Sequence, residues 1–133
     1  MLVDAHCHLF DRQFDADRAE VVERAGAAGV GHLVVIGESK AAAEAAFDFA
    51  STTSHVSVVA GLHPHDAKDW SPEYEAWLRG ATVRPCVRAL GEIGLDYHYD
   101  HSPRDVQQRV FETQLALAQG LALPVVIHAR EAD

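Results

Sequence analysis

The sequence predicts an α/β fold in which short parallel strands alternate with helices. Five short segments rich in Val, Ile, Leu and Ala are nearly continuous in apolar character, which is typical of parallel strands covered on both faces. The segments between them repeat their apolar residues with a helical period. Successive strand ends lie roughly 30 residues apart, the size of one β–α–β step.

Two architectures fit this order of elements, a doubly wound sheet and part of a (β/α)8 barrel. A complete barrel has eight strands and about 250 residues, whereas this sequence has 133 residues. Residues 1–133 therefore form either an open sheet or a partial TIM-type barrel domain that contains five strands and is incomplete after the fifth, and the order of elements alone does not choose between them. The predicted strands are Leu2 to His6, His32 to Ile36, Val56 to Leu62, Val87 to Glu92 and Val125 to His128.

Signals for helix ends lie between the predicted strands. Asp17, with Glu20 three residues later, predicts a capping box, and Ser39 predicts an N-cap. Two further helices should begin at Ser71-Pro72 and Ser102-Pro103, with proline at the first helical position. Gly29 and Gly120 are the expected stops of the first and last helices. One face of the last helix carries Val106, Val110, Phe111, Gln114, Leu115 and Ala118.

The composition is that of an ordinary globular protein. The chain is 48% hydrophobic and 23% charged, and no apolar run approaches the roughly 18 residues of a membrane helix. It carries two cysteines, too few for a disulfide framework, and shows no secretory signal pattern. We therefore expect a cytoplasmic protein with reduced thiols and no membrane partner.

The net charge of −9 bears on the choice of substrate. Such a surface repels the phosphates of nucleic acids over most of its area. A nucleic-acid substrate therefore requires a local positive charge, which bound divalent metals can supply.

Ionisable side chains follow four of the five predicted strands. In parallel α/β folds the carboxyl ends of the strands form the ligand-binding edge, so these side chains should converge. His6 and His8 would point to the same side of the first strand because side chains alternate with period two. Two imidazoles in this arrangement can bind one divalent metal. The candidates are His6 and His8, His63 and His65, Glu92 and Asp96, and His128 and Arg130.

Structural explanations remain open for each of these residues. Nine histidines in 133 residues make an accidental His-x-His pair plausible, and His128 could be a neutral core histidine. Glu92 would be costly to bury unpaired, so it either binds metal or pairs with Arg88 or Arg130.

Further polar residues near the predicted site have more than one interpretation. We expect Cys7 to be a buried free thiol facing the helices, with metal ligation as the alternative. His98 and His101 belong to a loop that either is solvated or contacts substrate.

Four motifs in order along the chain resemble the TatD family of metal-dependent hydrolases, many of them described as deoxyribonucleases. They are Asp4-Ala5-His6-Cys7-His8-Leu9, Gly61-Leu62-His63-Pro64-His65-Asp66, Gly91-Glu92-Ile93-Gly94-Leu95-Asp96-Tyr97 and Pro124-Val125-Val126-Ile127-His128-Ala129-Arg130. The second and third motifs are specific, whereas His-x-His alone is not.

The resemblance implies a distorted TIM barrel with two divalent metal ions, which could be Zn, Mn or Mg. It implies that His6 and His8 bind one metal, that Glu92 bridges both, and that His128 binds the second. His63 resembles a position near the substrate phosphate. His65, Asp96 and Arg130 resemble supporting or substrate-binding residues, although an ion pair explains Arg130 equally well. The implied reaction is hydrolysis of a phosphodiester at DNA ends or in a small substrate.

Members of this family continue for about as much chain again, with a further histidine and aspartate in the centre. We therefore expect this chain to be a fragment, or to pair with a second chain that completes the barrel. Alternative functions are amide or ester hydrolysis, including deacylation of aminoacyl-tRNA, and an inactive fragment that only binds metal or a partner.

Overall fold

The computed structural model describes residues 1–132 and contains five strands and four α-helices. None of the helices in these residues is long and apolar enough to cross a membrane. Short 3₁₀ helices follow the first and third strands at Arg12–Phe14 and Pro64–Asp69. In chain order the elements are β1 Leu2–Cys7, α1 Arg18–Ala27, β2 Val30–Gly37, α2 Lys40–Thr52, β3 Val56–Ala60, α3 Pro72–Thr82, β4 Val87–Asp96, α4 Arg104–Gly120 and β5 Val125–Arg130.

The five strands form one parallel sheet in the order β1-β2-β3-β4-β5. A doubly wound sheet reverses its strand order at a switch point, and this sheet has no reversal. Each strand pairs with the next one along the chain, as in a barrel. The sheet therefore confirms the α/β prediction and favours the barrel segment over the doubly wound alternative.

The sheet is apolar on both faces. Val35, Val58 and Leu90 are fully buried in the larger core cluster, together with buried residues of the helices such as Phe47 and Leu78. A smaller cluster of Ile36, Val59 and Ala89, with Val34 and Val126 against it, is separate from the helix-packed core. Neighbouring residues such as Val35 and Ile36 belong to different clusters because side chains alternate between faces. The smaller cluster is the interior side of the curved sheet.

Several helix ends follow the sequence signals, and two do not. Helix α4 begins at Arg104, so Pro103 is its N-cap and does not occupy the expected first helical position. The Ser39 and Ser71 side chains accept backbone N–H groups at 3.1 Å, as expected of N-caps, and α4 ends at Gly120. The predicted capping box at Asp17 is wrong. Its carboxylate makes no cap hydrogen bond and instead accepts from Arg24 at 3.0 Å, because a charged guanidinium is the stronger partner.

Strand β4 differs most from its predicted range. It continues past Glu92 to Asp96, so Glu92 and Asp96 project from the same strand rather than from a strand and a loop. Glycine permits this course. Gly94 has φ +148°, and a Cβ there would lie 2.0 Å from the carbonyl oxygen of His128 on β5. Only glycine allows the two strands to approach this closely.

The two outer strands expose apolar side chains. Leu2 and Val3 on β1 are 63% and 53% exposed, and Ile127 on β5 is 55% exposed. Unpaired edges with apolar side chains favour association with further strands.

Tyr74 of α3 connects a helix to the end of β3. Its hydroxyl donates to the carbonyl oxygen of Gly61 at 3.0 Å. Burial, with a smaller contribution from the Asp66 carboxylate, raises the pKa of this phenol above its usual value.

Candidate metal centre

The first candidate ligand group joins the ends of β1 and β4. One ligand atom from each of His6, His8 and Glu92 lies within 4.8 Å of the others. The two Nε2 atoms of His6 and His8 are 3.3 Å apart, and His6 Nε2 is 3.5 Å from Glu92 Oε2. The alternation predicted for β1 therefore places both imidazoles on one side, with the carboxylate beside them.

The second group joins the ends of β3 and β5. Ligand atoms of His63, His65 and His128 also lie within 4.8 Å of one another. Glu92 lies between the two groups, because its Oε1 is 3.1 Å from His128 Nδ1 while its Oε2 faces His6. Within residues 1–132 its ion-pair partners are these two histidines and not Arg88 or Arg130.

Asp96 lies beneath the second group. It is fully buried, and its Oδ2 is 2.8 Å from His65 Nε2 and 2.9 Å from His128 Nε2. Burial acts to raise the pKa of Asp96, but hydrogen bonds from the Tyr99 backbone N–H, His65 and His128 outweigh it and hold the pKa below its usual range. The ionised carboxylate engages Nε2 of His128, so Nδ1 of that ring is directed at Glu92.

His63 differs from its neighbours in the use of its two nitrogens. Burial, followed by the nearby His128 and His65, lowers the pKa of His63 to about 4, so the ring is neutral at pH 7. Its Nδ1 accepts the backbone N–H of His65 at 3.2 Å. In a neutral ring the other nitrogen then carries the proton. The proton of His63 then resides on Nε2, which lies 3.3 Å from Nδ1 of His128.

Two buried glutamines of α4 fix the backbone that carries these side chains. Gln114 accepts the N–H of Leu62 at 2.8 Å and donates to its carbonyl oxygen at 3.1 Å. Gln107 makes the same pair of contacts with Asp96, at 2.8 and 3.1 Å. In the sequence, Gln114 belongs to one predicted face of the helix, but nothing indicates that it binds the backbone of a strand end. Nothing in the sequence marks Gln107 as a residue of the site.

Glu38 is a further residue that the sequence analysis missed. It directly follows β2, the one predicted strand without an ionisable residue at its end, and its Oε2 lies 3.1 Å from His8 Nδ1. Its position directly after a predicted strand could have identified it, because a carboxylate at this edge of the sheet should lie near the other candidate ligands. His8 Nδ1 is nevertheless buried without a hydrogen bond, since the contact has the distance but not the direction of one.

The remaining predicted residues lie further from the ligand atoms. Arg130 is exposed, with its guanidinium 5.3 Å from the centroid of the Tyr99 ring. Cys7 is half-buried, and its thiol donates to the Val34 carbonyl oxygen at 3.4 Å. Burial, with a smaller contribution from Asp4, raises the pKa of this thiol to about 11. Cys7 packs against the larger core cluster on the helix side of the sheet, as expected of a residue that alternates with His6 and His8.

The first group suits a divalent metal on geometric grounds. Nitrogen and oxygen ligands about 2.0–2.1 Å from a tetrahedral ion lie about 3.3–3.5 Å from one another. Two of the three spacings match this value, His6 to His8 at 3.3 Å and His6 to Glu92 at 3.5 Å. One proton between the two imidazole nitrogens gives a single hydrogen bond, whereas a cation would bind the lone pairs of both nitrogens.

The fold and the site together define a segment of an α/β barrel with two candidate ligand groups at the carboxyl ends of its strands. The profile of the family described as TatD related DNase matches residues 3–133. The chain belongs to this family.

Relatives share the whole length of this chain but extend well beyond it. An uncharacterised metal-dependent hydrolase, YabD of Bacillus subtilis, is 42% identical over 99% of this chain and 52% of its own length. A 3'-5' ssDNA/RNA exonuclease TatD of Rahnella is 42% identical over 94% of this chain and 48% of its own length. The chain spans about half the length of the curated relatives it matches.

A solved structure shows the same arrangement. YjjV, a TatD homologue from Escherichia coli, superposes with a TM-score of 0.89 at 31% identity. The match covers 98% of this chain and 51% of YjjV. A TatD family hydrolase from Entamoeba histolytica gives the same TM-score at 22% identity, which shows the fold alone. The five strands therefore correspond to about half of a TatD barrel.

Proposed function

We propose that this chain provides the metal-binding part of a divalent-metal-dependent phosphodiester hydrolase that acts on nucleic-acid ends. The observation that carries the proposal is the position of Glu92, whose two oxygens face His6 and His128 in different ligand groups. A carboxylate in this position suits a bridge between two cations.

The side chains then divide by role. His6, His8 and Glu92 would hold one metal, and Glu92 with His128 would hold a second, with Asp96 and His65 orienting the ligands. Two divalent cations supply positive charge to a phosphoryl group and favour ionisation of a water molecule. The nitrogen and carboxylate donors suit Zn, Mn or Mg. The strong negative charge of the chain makes this local neutralisation a condition for approach of a phosphate.

His63 would act on the substrate itself. Its Nε2 lies beside the proposed ligand His128, 3.3 Å from Nδ1 of that ring, and the low pKa of His63 keeps it neutral at pH 7. We infer that it donates a hydrogen bond to a phosphate oxygen, while Arg130 at the rim offers a cation to a neighbouring phosphate.

Substitution of Glu92 by glutamine tests the proposal. The variant keeps the shape of the side chain but loses the charge shared by both groups, so metal content and hydrolysis of single-stranded DNA should fall together. Loss of a single outer partner already costs about 10- to 100-fold in metal affinity, so we expect at least about 100-fold here. Elemental analysis after dialysis measures the metal, and release of nucleotides from labelled DNA measures the activity.

Glu112→Gln is the matched control, because Glu112 is an exposed carboxylate on α4 away from the centre. It should leave metal content and hydrolysis unchanged. Equal metal content in the wild-type protein and Glu92→Gln would rule out Glu92 as a ligand. Absence of hydrolysis of single-stranded DNA with Zn, Mn or Mg would refute the enzymatic part of the proposal for this chain.

We also propose that residues 1–133 form a partial barrel domain completed by further strands, from additional chain or from a second chain. An eight-stranded barrel requires three strands beyond β5, so two copies of this five-stranded sheet would not close one. The exposed Leu2, Val3 and Ile127 of the outer strands support such pairing. Size-exclusion chromatography with intact mass tests this, because a stable 14.5 kDa monomer would contradict it. A cytoplasmic location stays a prediction from composition.

A further inference from the structure

Tyr99 holds an exposed aromatic ring beside the candidate metal centre. The residue is 49% exposed, yet its backbone N–H donates to the buried Asp96 carboxylate at 2.9 Å. Its ring meets His65 edge-to-face, with ring centroids 5.6 Å apart. The ring is therefore fixed one side chain away from the second ligand group while much of its surface remains in water.

Two other planar groups lie against the Tyr99 ring, and His98 meets it edge-to-face with ring centroids 4.6 Å apart. The imidazole of His101 is parallel to the Tyr99 ring within 3°, with ring centroids 5.4 Å apart. The guanidinium carbon of Arg130 lies 5.3 Å from the centroid of Tyr99. We call Tyr99, His101 and Arg130 the Tyr99 platform. All three residues are exposed.

An open groove of about 580 Å³ runs from the histidines of the centre to His101, the one platform residue in its lining. The lining includes His8, His63 and His65, and also the carboxylates of Glu38 and Asp66. Lys68 also lines the groove, and its Nζ lies 3.1 Å from the carbonyl oxygen of His101. The Lys68 ammonium can contact one phosphate of a nucleic-acid backbone at this end of the groove.

We propose that Tyr99 stacks against an unpaired base of a single-stranded nucleic acid whose adjacent phosphate lies at the candidate metal centre. This inference rests on the proposed function and names the part of the substrate that the protein recognises. Exposed aromatic rings beside basic groups bind unpaired bases through their flat faces with little regard to sequence. Bases inside a duplex are stacked on each other and do not offer these faces.

The experiment compares two oligomers of seven units. One is oligothymidylate, and the other has the same backbone with abasic sites throughout; both carry phosphorothioate links to slow hydrolysis. Fluorescence anisotropy at low salt, with Mg²⁺ and again with EDTA, gives Kd for the wild-type protein, Tyr99→Phe and Tyr99→Leu. The phenylalanine variant keeps the aromatic face, and the leucine variant keeps apolar volume without it.

We expect the wild-type protein and Tyr99→Phe to bind the thymidine oligomer more tightly than the abasic one. Tyr99→Leu should raise Kd for the thymidine oligomer about 5- to 20-fold, within the range for loss of one base–aromatic stack. Its Kd for the abasic oligomer should not change. Lys68→Gln, in contrast, should weaken binding of both oligomers by a similar factor, because it acts on the backbone.

Equal affinity of the wild-type protein for both oligomers, or a base preference retained in Tyr99→Leu, would overturn the inference. Circular dichroism spectra that match the wild type exclude unfolding as the cause of an effect. Hydrolysis of the abasic oligomer with ordinary phosphodiester links tests the proposed function separately. Base-dependent binding without any such hydrolysis would count against the proposed function and leave the role of Tyr99 supported.

Discussion

Replacement of Gln114 by leucine removes one of the two contacts that join α4 to the strand ends. Gln114 is 1% exposed and makes two hydrogen bonds to the backbone of Leu62, itself 4% exposed. Leucine has a similar volume but neither donor nor acceptor. The substitution therefore leaves a buried N–H and a buried carbonyl oxygen without partners, directly before His63.

The expected cost follows from these two groups. A buried polar group that loses its partner costs about 1–3 kcal/mol. The additional apolar surface of leucine returns about 1–2 kcal/mol. The two groups together cost about 2–6 kcal/mol. We therefore expect the free energy of unfolding to fall by about 1–4 kcal/mol, which lowers Tm by about 3–16 °C for a chain of this size.

Urea and thermal unfolding followed by circular dichroism measure this cost. Gln119→Leu is the matched control, because Gln119 is exposed on the same helix and should change stability by less than about 0.5 kcal/mol. A loss below about 0.5 kcal/mol in Gln114→Leu would refute the reasoning, since the two backbone groups would then have found other partners.

Three further outcomes can be measured. Gly94→Ala should destabilise the protein by at least about 1–3 kcal/mol in urea unfolding, because its Cβ would collide with the His128 carbonyl; a neutral substitution would contradict the observed approach. The buried phenol of Tyr74 has a raised pKa, so its stabilisation is complete below pH of about 10 and is lost as the pH rises further. Unfolding between pH 8 and 11 should therefore show a steeper loss in the wild type than in Tyr74→Phe, and equal slopes would disprove this. His63→Gln should lower hydrolysis but leave metal content at the wild-type level, whereas a fall in metal content would show that His63 is a ligand.

The fold could be predicted from local properties of the sequence. Continuous apolar segments and helical periods specify parallel strands and covering helices, and parallel strands bring their carboxyl ends to one edge. The convergence of the strand ends that carry His6, His63, Glu92 and His128 is a direct consequence of this topology. The strand order then distinguishes a barrel segment from a doubly wound sheet.

The details that the sequence could not provide depend on contacts between distant residues. Gln114 and Leu62 are 52 positions apart, and a glutamine on an apolar helix face carries no local sign of its partner. The apolar pattern places the end of β4 at Glu92, whereas the strand continues to Asp96 because Gly91 and Gly94 permit close approach of β5. Which nitrogen of His63 accepts a hydrogen bond and which carries the proton depends on the His65 backbone N–H and on burial of the ring. Both are defined only in the folded chain.

The two glutamine amides of α4 limit where related sequences can gain or lose residues. Gln107 and Gln114 are seven residues apart, about two helical turns, so both side chains leave the helix on the same face. The distance between the backbone of Asp96 and that of Leu62 is therefore matched to the pitch of helix α4. An insertion of one residue between the two glutamines would rotate one amide by about 100° away from its strand. We expect length variation among related sequences to be confined to the segments outside these two turns.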